Sequence, residues 1–567
     1  MLDKICSSSD EQKYIKYWTD KFFALGAGDK NVYPPPDAED KNNPFSGFLR
    51  RWVSRLTFKH TTPALSTLYS LQKGIKQSWP ARESKYLVKA FDKHEKLICN
   101  RRDPLSDLVI RSIERCSREV FQGVRDTTLT KFLPTGHSCT QNSRARGGTR
   151  SLNKPLSVYS SAERAILKDC PLAGKINFNP TLGTIPSVLS SLNSHRRSEV
   201  LHSETSCYDS LRGGRDKLLT FEVMALPEPS KFRILTKMHG HLGNLLQPLQ
   251  GGLLDAWKQT KVSSMRHEDL TSRIQEFIDI NLTVKSGFKL FASGDYSAAT
   301  DTLSRSSSFA ALSGAKHSKW YEWATLSLQE GRIRYPSVKG EDGKVIRSQK
   351  ECDMIEGQLM GHPLSFPLLC VINLSTYRLA LQKWVDRVTW DDDDWETRQL
   401  VAYELENAVI VNGDDIMFMC NDELYDCWKE SVKEHSFALS EGKNYLSEDT
   451  CQINSQVFRI NNSLSRRVGY LQQRTIFGVN VKKGDCSSEA GPVECARDLS
   501  KMVALNPKWA CCIPMVMKRV APNLSFGSLK PNWFFPTCLG GYGIDPLYGY
   551  KKATSIQRKF AAQFLNQ

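Results

Sequence analysis

Residues 409–420 read VIVNGDDIMFMC. Val409-Ile410-Val411 and Ile416-Met417-Phe418-Met419 are apolar, β-type runs, and Asn412-Gly413-Asp414-Asp415 separates them. Asn-Gly between such runs is a strong hairpin signal, because both residues tolerate the positive φ of a tight turn. Asp414 and Asp415 as ordinary turn residues would be the simplest reading. Both strands read as buried, however, and two adjacent carboxylates at their tip repel each other unless a cation bridges them. Gly-Asp-Asp alone occurs by chance, so its weight depends on what surrounds it.

Upstream, residues 287–310 read GFKLFASGDYSAATDTLSRSSSFA. Phe288, Leu290 and Ala292 alternate with Lys289, Phe291 and Ser293, which predicts a strand ending at Gly294-Asp295. A carboxylate at a strand terminus can point into a cleft. Asp301 follows at the start of a helix-like stretch, where a helix N-cap is the competing role. Between the two acidic segments lies GQLMGHPLSFPLLCVIN, residues 357–373. Its glycines, Gly357 and Gly361, precede an apolar helical run that carries Ser365 and Asn373. A small hydroxyl and an amide beside a glycine loop suit contacts to a sugar or base.

The order carries more than any one piece. A strand ending in Asp, a glycine loop with a helix, and a hairpin tipped by Asp-Asp make a two-metal nucleotidyl-transfer constellation. Magnesium takes hard oxygen ligands, so aspartate is the expected donor. Cations must then hold a triphosphate. Lys231, Arg233 and Lys237, in the stretch FEVMALPEPSKFRILTKMHG (residues 221–240), can supply them. That stretch reads as strand-like, broken at Pro227 and Pro229, and resuming at Lys231. Residues 135–155 hold Arg144, Arg146 and Arg150 around Gly147-Gly148, either a solvated basic loop or a phosphate grip.

At 567 residues the chain has room for about three to five domain-sized units. A hydrophobic share of 40 % and a charged share of 24 % exclude a mostly disordered or fibrous protein. The net charge of +16 favours an acidic partner, nucleic acid or an anionic membrane surface. Sixteen cysteines without a CxxC pair read as reduced thiols rather than a disulfide or zinc framework. The N-terminus lacks a signal-type apolar core, and apolar stretches such as 367–372 fall far short of the roughly 20 residues that span a bilayer. A soluble, intracellular protein without a transmembrane segment is expected. A hairpin is predicted where RIRYPSV and KVIRS flank Gly340–Gly343, and 391–394, four aspartates, read as a solvated loop.

Taken together, LPEPSKFRILTK, SGDYSAATD, MGHPLSFPLLCVIN, VNGDD and LSEGKNYLS resemble motifs F, A, B, C and D of the viral RNA-dependent RNA polymerases. INSQVF (453–458) falls where motif E belongs, and NWFFPTCLGGYGIDP (532–546) is similar to a thumb segment. The match is to the ourmia-like (botourmiavirus) and narnavirus group, and more distantly to the levivirus replicases. The resemblance implies an α+β right hand with an antiparallel palm sheet backed by helices. It implies an N-terminal extension at 1–59, fingers at 60–285 with an insertion at 314–356, a palm at 286–313 and 357–463, and a thumb at 464–567.

It also implies roles. Asp295 and Asp414 would ligate two Mg²⁺ ions, with Mn²⁺ as an alternative and Asp415 in support. Lys443 would protonate the pyrophosphate. Lys231, Arg233 and Lys237 would bind the incoming NTP, and Asp301, Ser365 and Asn373 its ribose. Motif B commonly places its Asn four residues after the Ser or Thr, and here that position is Leu369. Arg144, Arg146, Arg150 and Gly361 are the candidate RNA contacts. Single-stranded RNA template, RNA product and NTPs are the implied partners, with host factors as additional ones. The host cytoplasm is the expected compartment and the mitochondrion an alternative. A reverse transcriptase, a magnesium-dependent nuclease and a non-catalytic basic RNA-binding protein are the competing readings.

Overall fold

A computed structural model describes residues 84–124, 137–152, 200–228, 231–266, 269–284, 286–329, 331–387, 395–440, 443–470, 492–520 and 542–544, with 20, 23–24, 27–29, 475, 555, 558–559 and 562. Its strands are β1 (Thr220–Glu228), β2 (Lys231–Lys237), β3 (Leu290–Gly294), β4 (Arg332–Tyr335), β5 (Val338–Lys339), β6 (Val345–Arg347), β7 (Lys350–Asp353), β8 (Val409–Asn412), β9 (Asp415–Cys420), β10 (Tyr445–Ser447), β11 (Thr450–Ile453), β12 (Gln456–Asn461) and β13 (Leu464–Arg467). The helices that position the site are α1 (Ser84–Ile98), α2 (Asp107–Phe121), α3 (Gly240–Gln259), α4 (Leu270–Thr283), α5 (Ala299–Thr302), α6 (Ser365–Arg387) and α7 (Asp422–Glu434). Helices α8 (Pro492–Leu505) and α9 (Ile513–Val520) follow. The architecture is α+β, as expected.

The central sheet has the order β10-β3-β9-β8 and is antiparallel throughout. The predicted hairpin is its β8–β9 edge. Strand β3 lies alongside β9, with Gly294 opposite Ile416. Helices cover both faces. From one face Phe418 meets Tyr377 of α6, with ring centroids 5.0 Å apart, and Trp428 of α7 at 5.5 Å. On the other face Asn281 of α4 donates to the sulfur of Met419. Every residue of β3 is therefore buried, and only Lys289 of the predicted alternation reaches solvent. A two-sided sheet wants apolar residues on both faces, so unbroken runs such as IMFM replace strict alternation. Burying Phe418 fully contributes about 1.5–3 kcal/mol, and Phe418→Ala would cost about 3–5 kcal/mol with its cavity. Gly294 is required by this packing, because a Cβ there would sit 2.7 Å from Cη2 of Trp428 and 2.8 Å from Cγ2 of Ile416.

A second sheet runs β2-β1-β4-β7. Strand β1 continues through Pro227, which pairs with Phe232, so the break expected there does not occur. The physical reason is local. Strand β4 pairs with β1 only at Thr220–Glu222, so beyond them β1 has one neighbour and a proline's missing N–H can face away from the ladder. The predicted hairpin at 340–343 is β5–β6, with Val338 opposite Arg347. Arg347 pins it to α1 through Asp92 at 3.2 Å and Glu95 at 2.8 Å.

Strands β11, β12 and β13 form a meander whose two-residue loops, Asn454-Ser455 and Asn462-Ser463, are all left-handed, with φ of 49–59°. That is the backbone of type I′ turns, and asparagine bears it well. Helices α8 and α9 pack with Tyr542 and Ile544 into a separate small core. No described helix is long and apolar enough to cross a membrane. The aspartates at 391–394, most of 532–546 and nearly all of 1–59 lie outside the described residues.

Candidate active site

Asp295 leaves the end of β3, and Asp414-Asp415 form the tip of the β8–β9 hairpin. Gly294 opposes Ile416 and Asn412 opposes Asp415, so the register brings Asp295 beside Asp415 at one end of the sheet. The Asp295 backbone is fixed on both sides. Its N–H donates to Oδ1 of Asn444 at 3.0 Å, and its carbonyl accepts from the Ser440 N–H at 2.9 Å. Lys443 donates from Nζ to Oδ2 of Asp295 at 2.6 Å. Four of the predicted residues, Asp295, Asp414, Asp415 and Lys443, thus share one electrostatic neighbourhood.

Burial pushes the Asp415 carboxyl up to about 7, and the negative charges of Asp414 and Asp295 push the same way. Burial opposes the charge on Lys443, but Asp295, with Asp20 and Asp414, outweighs it and holds the ammonium above its ordinary range. Three carboxylates against one ammonium leave an excess of negative charge that a hard divalent cation would relieve. The donor chemistry fits such an ion. Among the described residues no three His, Cys, Asp or Glu side chains are yet drawn together tightly enough to cage one. Lys443 holds the Asp295 oxygen that an ion would share.

The Asn412–Asp415 turn is gripped from behind. Gly413 has φ +68°, the conformation a type II′ hairpin turn gives to glycine at its first central position. Its N–H donates to Sγ of Cys370, and its carbonyl accepts from Nδ2 of Asn373 at 2.9 Å. The Asn373 Oδ1 accepts from the Tyr296 hydroxyl at 2.7 Å. Tyr296 is in turn stacked on Phe437, with ring centroids 4.3 Å apart. Asn373 is 0 % exposed with both ends of its amide used. It does not face a ribose, as the motif suggests, but bridges the residue after Asp295 to the residue before Asp414. Ser365 is likewise buried, and its hydroxyl donates to the Leu359 carbonyl at 3.0 Å. In this conformation it closes the glycine loop instead of presenting a free hydroxyl.

Asp301 sits inside α5, not at its N-cap; Ala298, left-handed at φ 52°, holds that position. Its Oδ1 accepts from the Thr300 hydroxyl at 3.1 Å. The carbonyls at the end of this helix are satisfied by Arg102, which sequence reasoning missed. Its guanidinium donates to the carbonyls of Asp301 at 2.6 Å, Leu303 at 3.2 Å and Leu97 at 2.5 Å, and to that of Thr302. Nothing in RRDP distinguishes Arg102 from a wet arginine; all its partners but the Leu97 carbonyl lie some 200 residues away. Gln358 and Gly357 donate from their backbones to Thr300 and Leu303, tying the glycine loop to α5.

The glycine loop also locks onto β2. Thr236 donates its N–H to the Met360 carbonyl at 2.8 Å, and a Cβ on Gly361 would lie 2.2 Å from the Thr236 carbonyl oxygen. Gly361 is thus a packing requirement first. It also lines, with Lys237, Ser138, Thr149 and Gln247, a groove of about 610 Å³ between β2, α3 and the arginine loop. Arg144 and Arg146 are exposed on that loop. The side chains of Arg150 and Lys231 lie outside the described residues. Arg233 is held by Glu228, at 2.6 Å from Nε and 3.1 Å from a terminal nitrogen. Arg233 and Lys237 thus stand on β2, with Lys237 lining the groove.

A strand-terminal Asp, a glycine-loop helix and an Asp-Asp hairpin on one antiparallel sheet are compatible with an α+β polymerase. The chain is a relative of an ourmia-type viral RNA-dependent RNA polymerase. It is 26 % identical over 497 residues to the "RNA-dependent RNA polymerase" of Ourmia melon virus (isolate Melon/Iran/VE9). The match covers 82 % of this chain and 54 % of that protein, so the chain spans about half the length of the curated relative it matches. No family model matches the chain. The resemblance drawn from the motifs to the ourmia-like group is borne out by this relative.

Proposed function

We propose that the chain is a viral RNA-dependent RNA polymerase that joins NTPs on a single-stranded RNA template. The observation that carries this reading is the meeting of Asp295, the Asp414-Asp415 tip and Lys443 at one end of the β10-β3-β9-β8 sheet. In a right-handed arrangement this sheet is the palm, with fingers drawn from 60–285 and 314–356 and a thumb from 464 onward.

Asp295 and Asp414, with Asp415 beside them, are the residues to hold two Mg²⁺ ions, or Mn²⁺. Such ions, when bound, lower the pKa of the attacking 3′-hydroxyl and neutralise the triphosphate. The residues of the chain do the rest. Lys443 donates a proton to the departing pyrophosphate. Asp301, held by Arg102, accepts from the ribose 2′-hydroxyl, which separates NTP from dNTP. Arg233, oriented by Glu228, and Lys237 bind the triphosphate, with Lys231 as a further candidate. The groove between β2, α3 and the arginine loop takes the RNA strand, with Arg144, Arg146 and Arg150 on phosphates.

The test is incorporation of labelled NTP on a single-stranded RNA template with Mg²⁺, for the wild type and Asp414→Asn. Template-length product from the wild type alone supports the reading. Equal RNA binding with no product from either overturns it in favour of a binding protein, and dNTP preferred to NTP turns it toward a reverse transcriptase.

A further inference from the structure

The end strand of the central sheet, β10, is two residues beyond Lys443. Its outer edge is closed by a segment that sequence motifs place outside the catalytic region. The Leu446 N–H points away from β3 and is accepted by Oδ1 of Asp29 at 2.7 Å. The Ser447 hydroxyl donates to the Ala27 carbonyl. Phe23 sets its ring edge-on against Tyr445, with centroids 4.8 Å apart, and with Ala27 and Val457 makes a small core of its own. Asp20, 3 % exposed, lies close enough to Lys443 to act on its charge. Gly28, left-handed at φ 63°, lets the backbone turn between the Ala27 and Asp29 contacts.

An exposed sheet edge slides, frays and recruits other strands unless something covers it. Here the covering segment touches all three residues of β10. We propose that Phe23, Ala27 and Asp29 act together as a strap that fixes β10 and so holds Lys443 against Asp295, with Asp29 as its positioning residue. The inference rests on the polymerase reading. It makes the N-terminal segment part of the catalytic apparatus, not an appendage. Its chemistry is mechanical: no bond is made or broken by the strap.

The test compares the full chain with Asp29→Ala, which removes the acceptor for Leu446, and Asp29→Asn, which keeps an oxygen there. Two readouts are taken: deuterium uptake of the peptide spanning 443–449, and steady-state incorporation of NTP. The strap predicts that Asp29→Ala exchanges faster at Leu446 and loses kcat roughly tenfold while KM for NTP stays within about twofold, and that Asp29→Asn restores both. A merely structural residue would lower the amount of active protein without that split or that rescue. Unchanged exchange in Asp29→Ala, or faster exchange with wild-type kcat, overturns the proposal. If Asp29→Ala does not fold, Phe23→Leu is read by the same two measures. Should the wild type make no RNA at all, the polymerase reading fails by itself, and the exchange result alone upholds or overturns the strap.

Discussion

The Lys443 ammonium lies 2.6 Å from Oδ2 of Asp295, so the group proposed to release a proton late in the cycle begins it paired with a carboxylate proposed to hold metal. On the proposed reading, Asp295 would share its oxygen with a bound divalent ion, and Lys443 would be available to the pyrophosphate. Lys443→Met should therefore lower kcat about a hundredfold, the scale of a lost general acid, with RNA affinity unchanged. Rapid-quench incorporation beside a filter-binding assay checks it.

Asp415 gives stability a pH slope. Its folded-state pKa of about 7 lies above the ordinary 3.8. The folded protein then binds the proton more tightly than the unfolded one, so this contribution is complete below pH 4 and is lost as pH rises to 7. The loss is on the order of 4 kcal/mol. Metal-free protein should melt lower at pH 8 than at pH 5.5, and Asp415→Asn should flatten the difference. Mg²⁺ should raise the melting temperature of the wild type at pH 8 and leave Asp415→Asn much less affected. Thermal melts across pH, with and without Mg²⁺, decide it.

Asn373→Leu keeps the volume of the side chain and removes the bridge. The Gly413 carbonyl is left buried without its donor, and the Tyr296 hydroxyl loses its acceptor, keeping a 3.4 Å contact to Thr376. A cost of about 2–3 kcal/mol is expected from the denaturant midpoint. Incorporation should fall as well, since the aspartates on either side lose their common anchor.

Arg102→Ala removes the donors to a row of backbone carbonyls ending at Leu303. A destabilisation of about 2–4 kcal/mol should accompany it. Because Asp301 loses its support, discrimination of NTP over dNTP should shrink by roughly tenfold, more than overall activity does. Competition between the two substrates on one template measures this directly.

Gly361→Ala meets both a φ of +126° and the Thr236 carbonyl. The glycine loop must then leave β2, at about 2–4 kcal/mol. A raised KM for NTP, from the displaced Arg233 and Lys237, is the kinetic sign to look for.

The hairpin at 409–420 was readable because everything that specifies it is local: two apolar runs, a turn dipeptide and their spacing. The helix from Ser365 and the strand ending before Asp295 were readable for the same reason. Asn373 was not, since what it touches is set by contacts 77 and 40 residues away. Nor was Arg102, whose carbonyl partners are made available only by the way α5 ends. Pro227 misled because a proline breaks a strand only when the ladder needs its N–H. The strap is the extreme case, for Asp29 meets Leu446 across 417 positions and lies in the stretch expected to be an extension.

Tyr296, Asn373 and Gly413 form one hydrogen-bonded chain that ties the two acidic segments together. On the polymerase reading proposed above, this is a constraint on inheritance. A change at any one of the three is tolerated only if another answers it, so related viruses should alter them as a set. A recombination whose crossover falls between codons 296 and 413 would join halves drawn from different sets, and such chimaeras should be scarce among viable progeny.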